Sequence, residues 1–123
     1  MAAIETKKIL VVCSQPPAKG NLAREALDAA FAIAAFEQSV TVYFSGEGIW
    51  QVLAAEQSNF TTGKAINSSW KAASLYEIDE LYVTAEELAK RCINADELID
   101  GSSIISAKKV NAIMNAQALV LSF

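Results

Sequence analysis

The stretch DELYVTAEEL, residues 79–88, decides the fold because it joins a short apolar strand directly to a helix. Residues 81–83 predict the strand. Thr84 is a favourable N-cap, and Glu87 follows at the spacing of a capping box. In open α/β sheets, ligands and reactive groups usually lie at the carboxyl ends of strands. This strand end has no cysteine, histidine or carboxylate directed at chemistry, so the stretch predicts a reactive position without a reactive group.

Strand and helix patterns alternate on both sides of this stretch. The predicted strands are 9–13, 40–44, 81–83, 104–105 and 118–122, and the predicted helices are 22–36, 49–53, 68–76, 85–91 and 106–114, with a polar loop at 56–64. Continuous apolar strands separated by helices imply right-handed crossovers. We therefore expect a single α/β domain over residues 1–123, with 1–6 as an N-terminal tail. Its mostly parallel five-stranded sheet has helices on both faces, a three-layer sandwich.

The composition favours a protein that binds other proteins. Hydrophobic residues make up 53% of the chain, above the roughly 45–50% of typical domains. A chain of 123 residues has a large surface for its volume, so some apolar surface is expected to lie against another chain. The net charge of −4 argues against direct nucleic-acid binding, which needs clustered lysine and arginine.

The chain contains no histidine, which excludes Ser-His-Asp and Cys-His catalysis and any histidine-ligated metal within it. Its two cysteines, Cys13 and Cys92, form no CxxC motif and suit free thiols in a reducing compartment. The apolar run 29–36 is too short to span a bilayer. We expect a soluble, cytoplasmic protein.

Most local motifs favour structural roles. The turn that ends at Gly20 lacks both GxGxxG and GxxxxGK[ST], so a helix cap is favoured over a phosphate site. Residues 106–109 match S-x-x-K without its companion motifs, and Ser106 is interpreted as a helix cap. The acidic residues at 86–87 and 96–100 have no third ligand type at metal spacing. We expect neither a metal nor a cofactor.

Each cysteine could have either a structural or a reactive role. Cys13 ends a buried strand and is interpreted as a small core residue rather than a reactive thiol. Cys92 follows Lys90 and Arg91, whose charges favour a thiolate, but the C-terminal end of a helix disfavours one. A structural role is favoured for both.

The first predicted helix carries an interface signal. Beyond Asp28 it reads Ala-Ala-Phe-Ala-Ile-Ala-Ala-Phe, without a polar position on any side. A small domain cannot bury such a helix all round. We therefore predict that Ala32, Ala35 and Phe36 pack on a partner subunit. The alternative is burial within the domain, beneath the long loop.

The order of several segments resembles the TusC/DsrF family. They are the strand 9–13 with Ser14 and a proline loop, AREALDA at 23–29, VYF at 42–44, GIWQVL at 48–53, LYEI at 75–78, LYV at 81–83 and VLSF at 120–123. The match covers nearly the whole chain past residue 6, and the patterns Arg-Glu-x-Leu-Asp and Gly-x-x-Gln-x-Leu are fairly specific.

This resemblance implies a DsrE-like fold and a role in passing sulfur between proteins. It implies a heterohexamer with TusB-like and TusD-like subunits, which accepts persulfide sulfur from a TusA-like donor and passes it to a TusE-like acceptor. That route leads to 2-thiolation of the wobble uridine of certain tRNAs. The alternative is a DsrF-like subunit of a DsrEFH complex in dissimilatory sulfur oxidation.

The resemblance also implies where a relay cysteine would lie. In TusD/DsrE-like chains it lies at the end of the third strand, and the matching place here is close to Tyr82. The chain is therefore expected to be a non-catalytic subunit whose partner carries the catalytic cysteine. The remaining alternative is a stand-alone sulfur carrier or small-molecule enzyme that uses Cys13 or Cys92.

Overall fold

The structure is a computed structural model that describes residues 6–17, 21–54 and 64–123. Its strands are β1 (Lys8–Cys13), β2 (Ser39–Phe44), β3 (Glu80–Thr84), β4 (Ser102–Ile105) and β5 (Leu119–Ser122). Its α-helices are α1 (Leu22–Ala35), α2 (Lys64–Lys71), α3 (Ala85–Lys90) and α4 (Ala107–Asn115). Shorter 3₁₀ helices lie at Gly46–Val52, Ala73–Tyr76 and Ala95–Glu97.

The five strands form one sheet in the order β4-β3-β2-β1-β5, and every neighbouring pair is parallel. The prediction of a mostly parallel five-stranded sheet is confirmed. The interior strand β1 is apolar from Ile9 to Cys13 because parallel sheets are covered on both faces. Parallel pairing places the carboxyl ends of all five strands at one edge of the sheet.

Helices cover both faces, as predicted. The larger core lies on one face, where Trp70 of α2 packs against Phe44 of β2, and both are among the largest fully buried side chains. The rings of these two residues meet edge to face, with centroids 5.1 Å apart. On the other face, α4 places Val110 against Tyr82 and Ile105.

The helix predicted at 68–76 is wrong in its bounds, because the structure divides the segment into α2 and the 73–76 helix. Helix α2 already includes Asn67, whose buried side-chain amide donates to the carbonyls of Trp50, at 3.2 Å, and Leu53, at 2.6 Å. These tertiary bonds anchor the first half of α2, and no local pattern reveals them. Of the predicted loop 56–64, residues 56–63 lie outside the described residues.

The predicted short helix at 49–53 is a 3₁₀ helix that begins earlier, at Gly46. Gly48 lies against the end of β1, and a Cβ built there would lie 1.8 Å from the carbonyl oxygen of Cys13. The same oxygen accepts a hydrogen bond from the backbone of Ser45 at 2.9 Å. The close approach of two backbones explains why position 48 requires glycine.

Replacement of Gly48 by alanine should lower the free energy of unfolding by about 3 kcal/mol, because the new methyl group overlaps a backbone carbonyl. Gly101→Ala is the matched control. Gly101 has a φ of +94° but no atom within 4 Å of an added Cβ, so that change should cost only about 1 kcal/mol of conformational strain. Urea denaturation measures both, and equal losses would contradict the steric account.

Candidate functional site: the carboxyl edge of the sheet

At the carboxyl edge, hydrogen bonds join the ends of the two neighbouring strands β1 and β5. Ser14 follows β1 directly, and both its backbone N–H, at 2.9 Å, and its hydroxyl, at 2.8 Å, donate to the carbonyl of Phe123. Phe123 in turn donates its N–H to the carbonyl of Val12 at 2.9 Å. These bonds satisfy backbone groups at the strand ends that would otherwise lack partners.

The end of β3 carries a hydroxyl group. Thr84 is buried, and its side chain accepts a hydrogen bond from the backbone N–H of Glu87 at 3.2 Å, which confirms the predicted N-cap. Burial is the main cause that raises the pKa of Tyr43, on the neighbouring strand β2, above its ordinary value, so the phenol stays protonated at neutral pH. The side chains of Ser45 and Thr84 act to lower the pKa of Tyr43.

The second bond of the predicted capping box is absent from the described structure. The carboxylate of Glu87 instead pairs with the guanidinium group of Arg91, one helical turn further on. Arg91 also donates to Glu47 at 3.0 Å, and Glu47 accepts from the indole N–H of Trp50 at 2.7 Å. The bond from Trp50, followed by that from Arg91, lowers the pKa of Glu47. This cluster ties α3 to the 46–52 helix.

Tyr82 lies in the middle of β3, two residues before its carboxyl end. Its hydroxyl donates to the carboxylate of Glu80, the first residue of the strand. This bond, with burial as the second cause, raises the pKa of Tyr82 to about 12. The ammonium group of Lys109 lies 5.7 Å from the centre of the ring. The hydroxyl therefore lies toward the amino end, and Thr84 is the residue at the carboxyl end.

The two cysteines differ sharply in their surroundings. Cys13 is completely buried at the end of β1, and burial raises the pKa of its thiol well above the ordinary value. Cys92 is exposed, lies just after α3 and has a φ of +55°. Its backbone N–H donates to the carbonyl of Ala89 at 3.2 Å, which ends the helix. Neither cysteine lies at the end of β3.

Two hydrogen bonds of Gln51 connect Gln15, which lies just after β1, to Trp70 of α2. The side-chain amide of Gln51 donates to the carbonyl of Gln15 at 2.7 Å and accepts from the indole N–H of Trp70 at 3.0 Å. All of Gln51 is buried, so its polar atoms need these partners. Gln51 is the glutamine of the Gly-x-x-Gln-x-Leu pattern, and its contacts give it a positioning role.

The described residues hold no group of three or more histidine, cysteine or acidic side chains that could bind a metal. Within the predicted acidic group, Glu97 is used to cap the backbone N–H of Asn94 at 3.1 Å. Two grooves of about 490 Å³ and 220 Å³ both border Asp100 and Gly101, which precede β4. They therefore lie near the amino end of β4.

The predicted interface residues form part of an exposed surface. Ala32 and Ala35 are exposed, and Phe36 is 74% exposed. The opposite side of the helix is buried, with Ala30 in the core. Phe31 lies between the two sides, is half-buried, and packs its ring edge to face on Trp70 at 5.8 Å. Packing of these three residues on a partner stays a prediction, and the alternative cover, the long loop, lies mostly outside the described residues.

The DsrE/DsrF-like family model matches residues 7–123 of this sequence. The chain belongs to the DsrE/DsrF-like family. Its resemblance to this family therefore extends over every described strand and helix, including the carboxyl edge and the exposed surface of α1.

Curated relatives of this DsrE/DsrF-like chain are named TusC. The protein TusC homolog of Vibrio vulnificus strain CMCP6 is 27% identical over 107 residues, which is 87% of this chain and 91% of the relative. The protein TusC of Buchnera aphidicola subsp. Acyrthosiphon pisum strain Tuc7 is 33% identical over 88 residues, 72% of this chain and 74% of the relative.

Solved structures show the same DsrE/DsrF-like fold. The ychN protein from E. coli aligns with a TM-score of 0.82 at 17% identity and covers 96% of this chain and 100% of its own. The protein MTH1491 from Methanobacterium thermoautotrophicum aligns with a TM-score of 0.67 at 11% identity, over 95% and 99% of the two chains. Both likenesses concern the fold alone. None of the described helices is long and apolar enough to cross a membrane.

The exposure of the cysteines predicts how they react with a thiol reagent such as dithionitrobenzoate. In the folded protein one thiol per chain should react, and it should be Cys92, because Cys13 is buried and its pKa is raised. Both should react in denaturant. A Cys92→Ser variant should show no fast reaction when folded, and two equally fast thiols in the native protein would contradict the assignment.

The cap at the end of β3 can be tested by removal of the hydroxyl alone. Thr84→Val keeps the shape but loses the bond to Glu87, so it should destabilise the protein by about 1–2 kcal/mol and speed amide hydrogen exchange at Glu87. Thr84→Ser keeps the hydroxyl and should keep that exchange slow. Equal exchange at Glu87 in the two variants would show that the hydroxyl does not cap α3.

Proposed function

We propose that this chain is a non-catalytic, structural subunit of a TusBCD-like sulfur relay complex, which passes persulfide sulfur toward 2-thiolation of the tRNA wobble uridine. The likeness to proteins named TusC over most of the chain supports this proposal. Membership of the DsrE/DsrF-like family supports it further.

The observation that carries the proposal is the buried threonine at the end of β3. Sulfur relay requires an accessible cysteine that forms a thiolate, attacks a persulfide and passes the outer sulfur to the next thiolate. In this chain Thr84 occupies the end of β3, and its hydroxyl caps α3. Cys13 is buried with a raised pKa, so it is a poor nucleophile. The catalytic cysteine therefore belongs to a partner chain.

The proposed partners are TusB-like and TusD-like subunits in a cytoplasmic heterohexamer. A TusA-like donor and a TusE-like acceptor reach the complex through the partner that carries the relay cysteine. In this arrangement the present chain supplies apolar surface and a rigid wall beside the partner's site. The exposed Ala32, Ala35 and Phe36 support such a role.

One observation favours a second candidate function. Cys92 is exposed, as a sulfur carrier in its own right would need. Cys92 follows the C-terminal end of helix α3, and this end of a helix disfavours a thiolate. The stand-alone carrier is therefore the weaker candidate.

The two functions predict different results on exposure to a persulfide-charged TusA-like donor. The isolated chain should gain no sulfur that a TusE-like acceptor can remove, as read by intact mass, whereas a TusD-like chain in the same assay should. Cys92→Ser is the control for surface modification of the exposed thiol. A stable added sulfur that passes to the acceptor, and is lost in Cys92→Ser, would contradict the structural role.

Co-expression with neighbouring genes tests the partnership and the pathway together. We expect co-purification with two other small α/β chains. Genes for dissimilatory sulfite reductase beside these partners would instead select a DsrF-like subunit of a DsrEFH complex. Purification of the chain without any such partner would contradict a role as a subunit.

A further inference from the structure

An apolar surface extends from α1 across the 73–76 helix. Its α1 part consists of Ala32, Ala35 and Phe36, which share one helical face at spacings of three and four residues. Its second part consists of Leu75, which is 83% exposed, and Tyr76. We call these five residues the α1 surface. Large apolar side chains exposed together mark binding surfaces, whereas single ones are ordinary.

Aromatic stacking makes the two parts contiguous. The ring of Phe31 stacks on that of Tyr76, with centroids 4.5 Å apart. Ala35 lies one helical turn after Phe31, on the same side of α1. The exposed residues of α1 are therefore adjacent to Tyr76 and Leu75 on the surface.

Two acidic residues border the α1 surface in an unusual conformation. Glu37 follows Phe36 and Glu77 follows Tyr76, and their φ angles are +63° and +62°. Both end a helix in the left-handed conformation, where glycine is the usual residue. Among the described residues only one other non-glycine residue, Cys92, has a positive φ.

The fold does not account for these two charges. Glu37 and Glu77 are exposed, and within the described chain their carboxylates form no ion pair. Glycine at either position would suit the backbone better. Residues that break a local rule of folding without a compensating contact are most readily explained by function.

We propose that the α1 surface binds a different protein chain, with an apolar centre and lysine or arginine at its rim facing Glu37 and Glu77. A second copy of this chain fits poorly, because a two-fold contact through this surface would bring like acidic rims together. The inference rests on the proposed function, in that the partner is a subunit of the relay complex.

The test compares three variants for binding to a co-expressed TusB-like and TusD-like pair. Glu37→Gly with Glu77→Gly should melt at the same or a higher temperature yet bind roughly threefold to tenfold more weakly, with a smaller salt dependence. Phe36→Ser should fold normally and bind about thirtyfold more weakly. Asp96→Asn with Asp100→Asn changes the net charge equally at two exposed positions away from α1 and should bind like the wild type.

The outcomes separate this inference from the proposed function. If the wild type binds the pair and the Glu37/Glu77 and Phe36 variants bind equally well, the α1 surface is not the interface, and the subunit role stands. Dimerisation of the isolated chain that Phe36→Ser abolishes would overturn the choice of a different partner. Failure of the wild type to bind the pair would overturn both proposals.

Discussion

All five strands end at the same edge of the sheet, and their backbone groups must find partners there. The need for these hydrogen-bond partners determines the structure of the edge. Each side chain that serves as a partner is a polar group that could otherwise act on a ligand. Ser14 bonds to Phe123 across two strands, and Thr84 caps α3. At the end of β4, Ser106 caps α4 through the N–H of Lys109 at 3.2 Å. At three strand ends, a hydroxyl group therefore serves as the hydrogen-bond partner of a backbone group.

This use of hydroxyls connects the fold to its proposed role. Parallel sheets commonly place reactive groups at this edge, and a relay protein would need a free thiolate there. Here the residue at the end of β3, Thr84, uses its hydroxyl to cap the helix that follows it. The end of β3 thus offers no thiol to accept sulfur, in agreement with the proposed structural role.

The sequence predicted the architecture because the apolar strands and the caps are local signals. The parallel sheet, the caps Thr84 and Ser106, and the buried Cys13 follow from periodicity and residue type. The sequence did not predict the pairing of Arg91 with Glu47, because those residues lie 44 positions apart. Glu87 illustrates a second limit: its spacing predicted a bond to the cap, but its carboxylate pairs with Arg91 at the equally local spacing of four residues.

The site itself was predicted less well than the fold. The sequence placed the expected relay position close to Tyr82. The structure shows that the hydroxyl of Tyr82 lies toward the amino end of β3 and that Thr84 is the residue at the carboxyl end. The α1 surface was predicted as Ala32, Ala35 and Phe36, without Leu75 and Tyr76. Stacking of Phe31 on Tyr76 joins those segments, and sequence spacing does not reveal such a contact.

The most direct test of the central claim is the rate of sulfur transfer through a reconstituted complex whose copy of this chain lacks cysteine. Cys13→Ala with Cys92→Ser removes both thiols, one buried and one exposed. If the chain is structural, sulfur should pass from donor to acceptor at the wild-type rate. Loss of transfer by an intact complex of the same composition would show that the chain itself carries sulfur and would contradict the account.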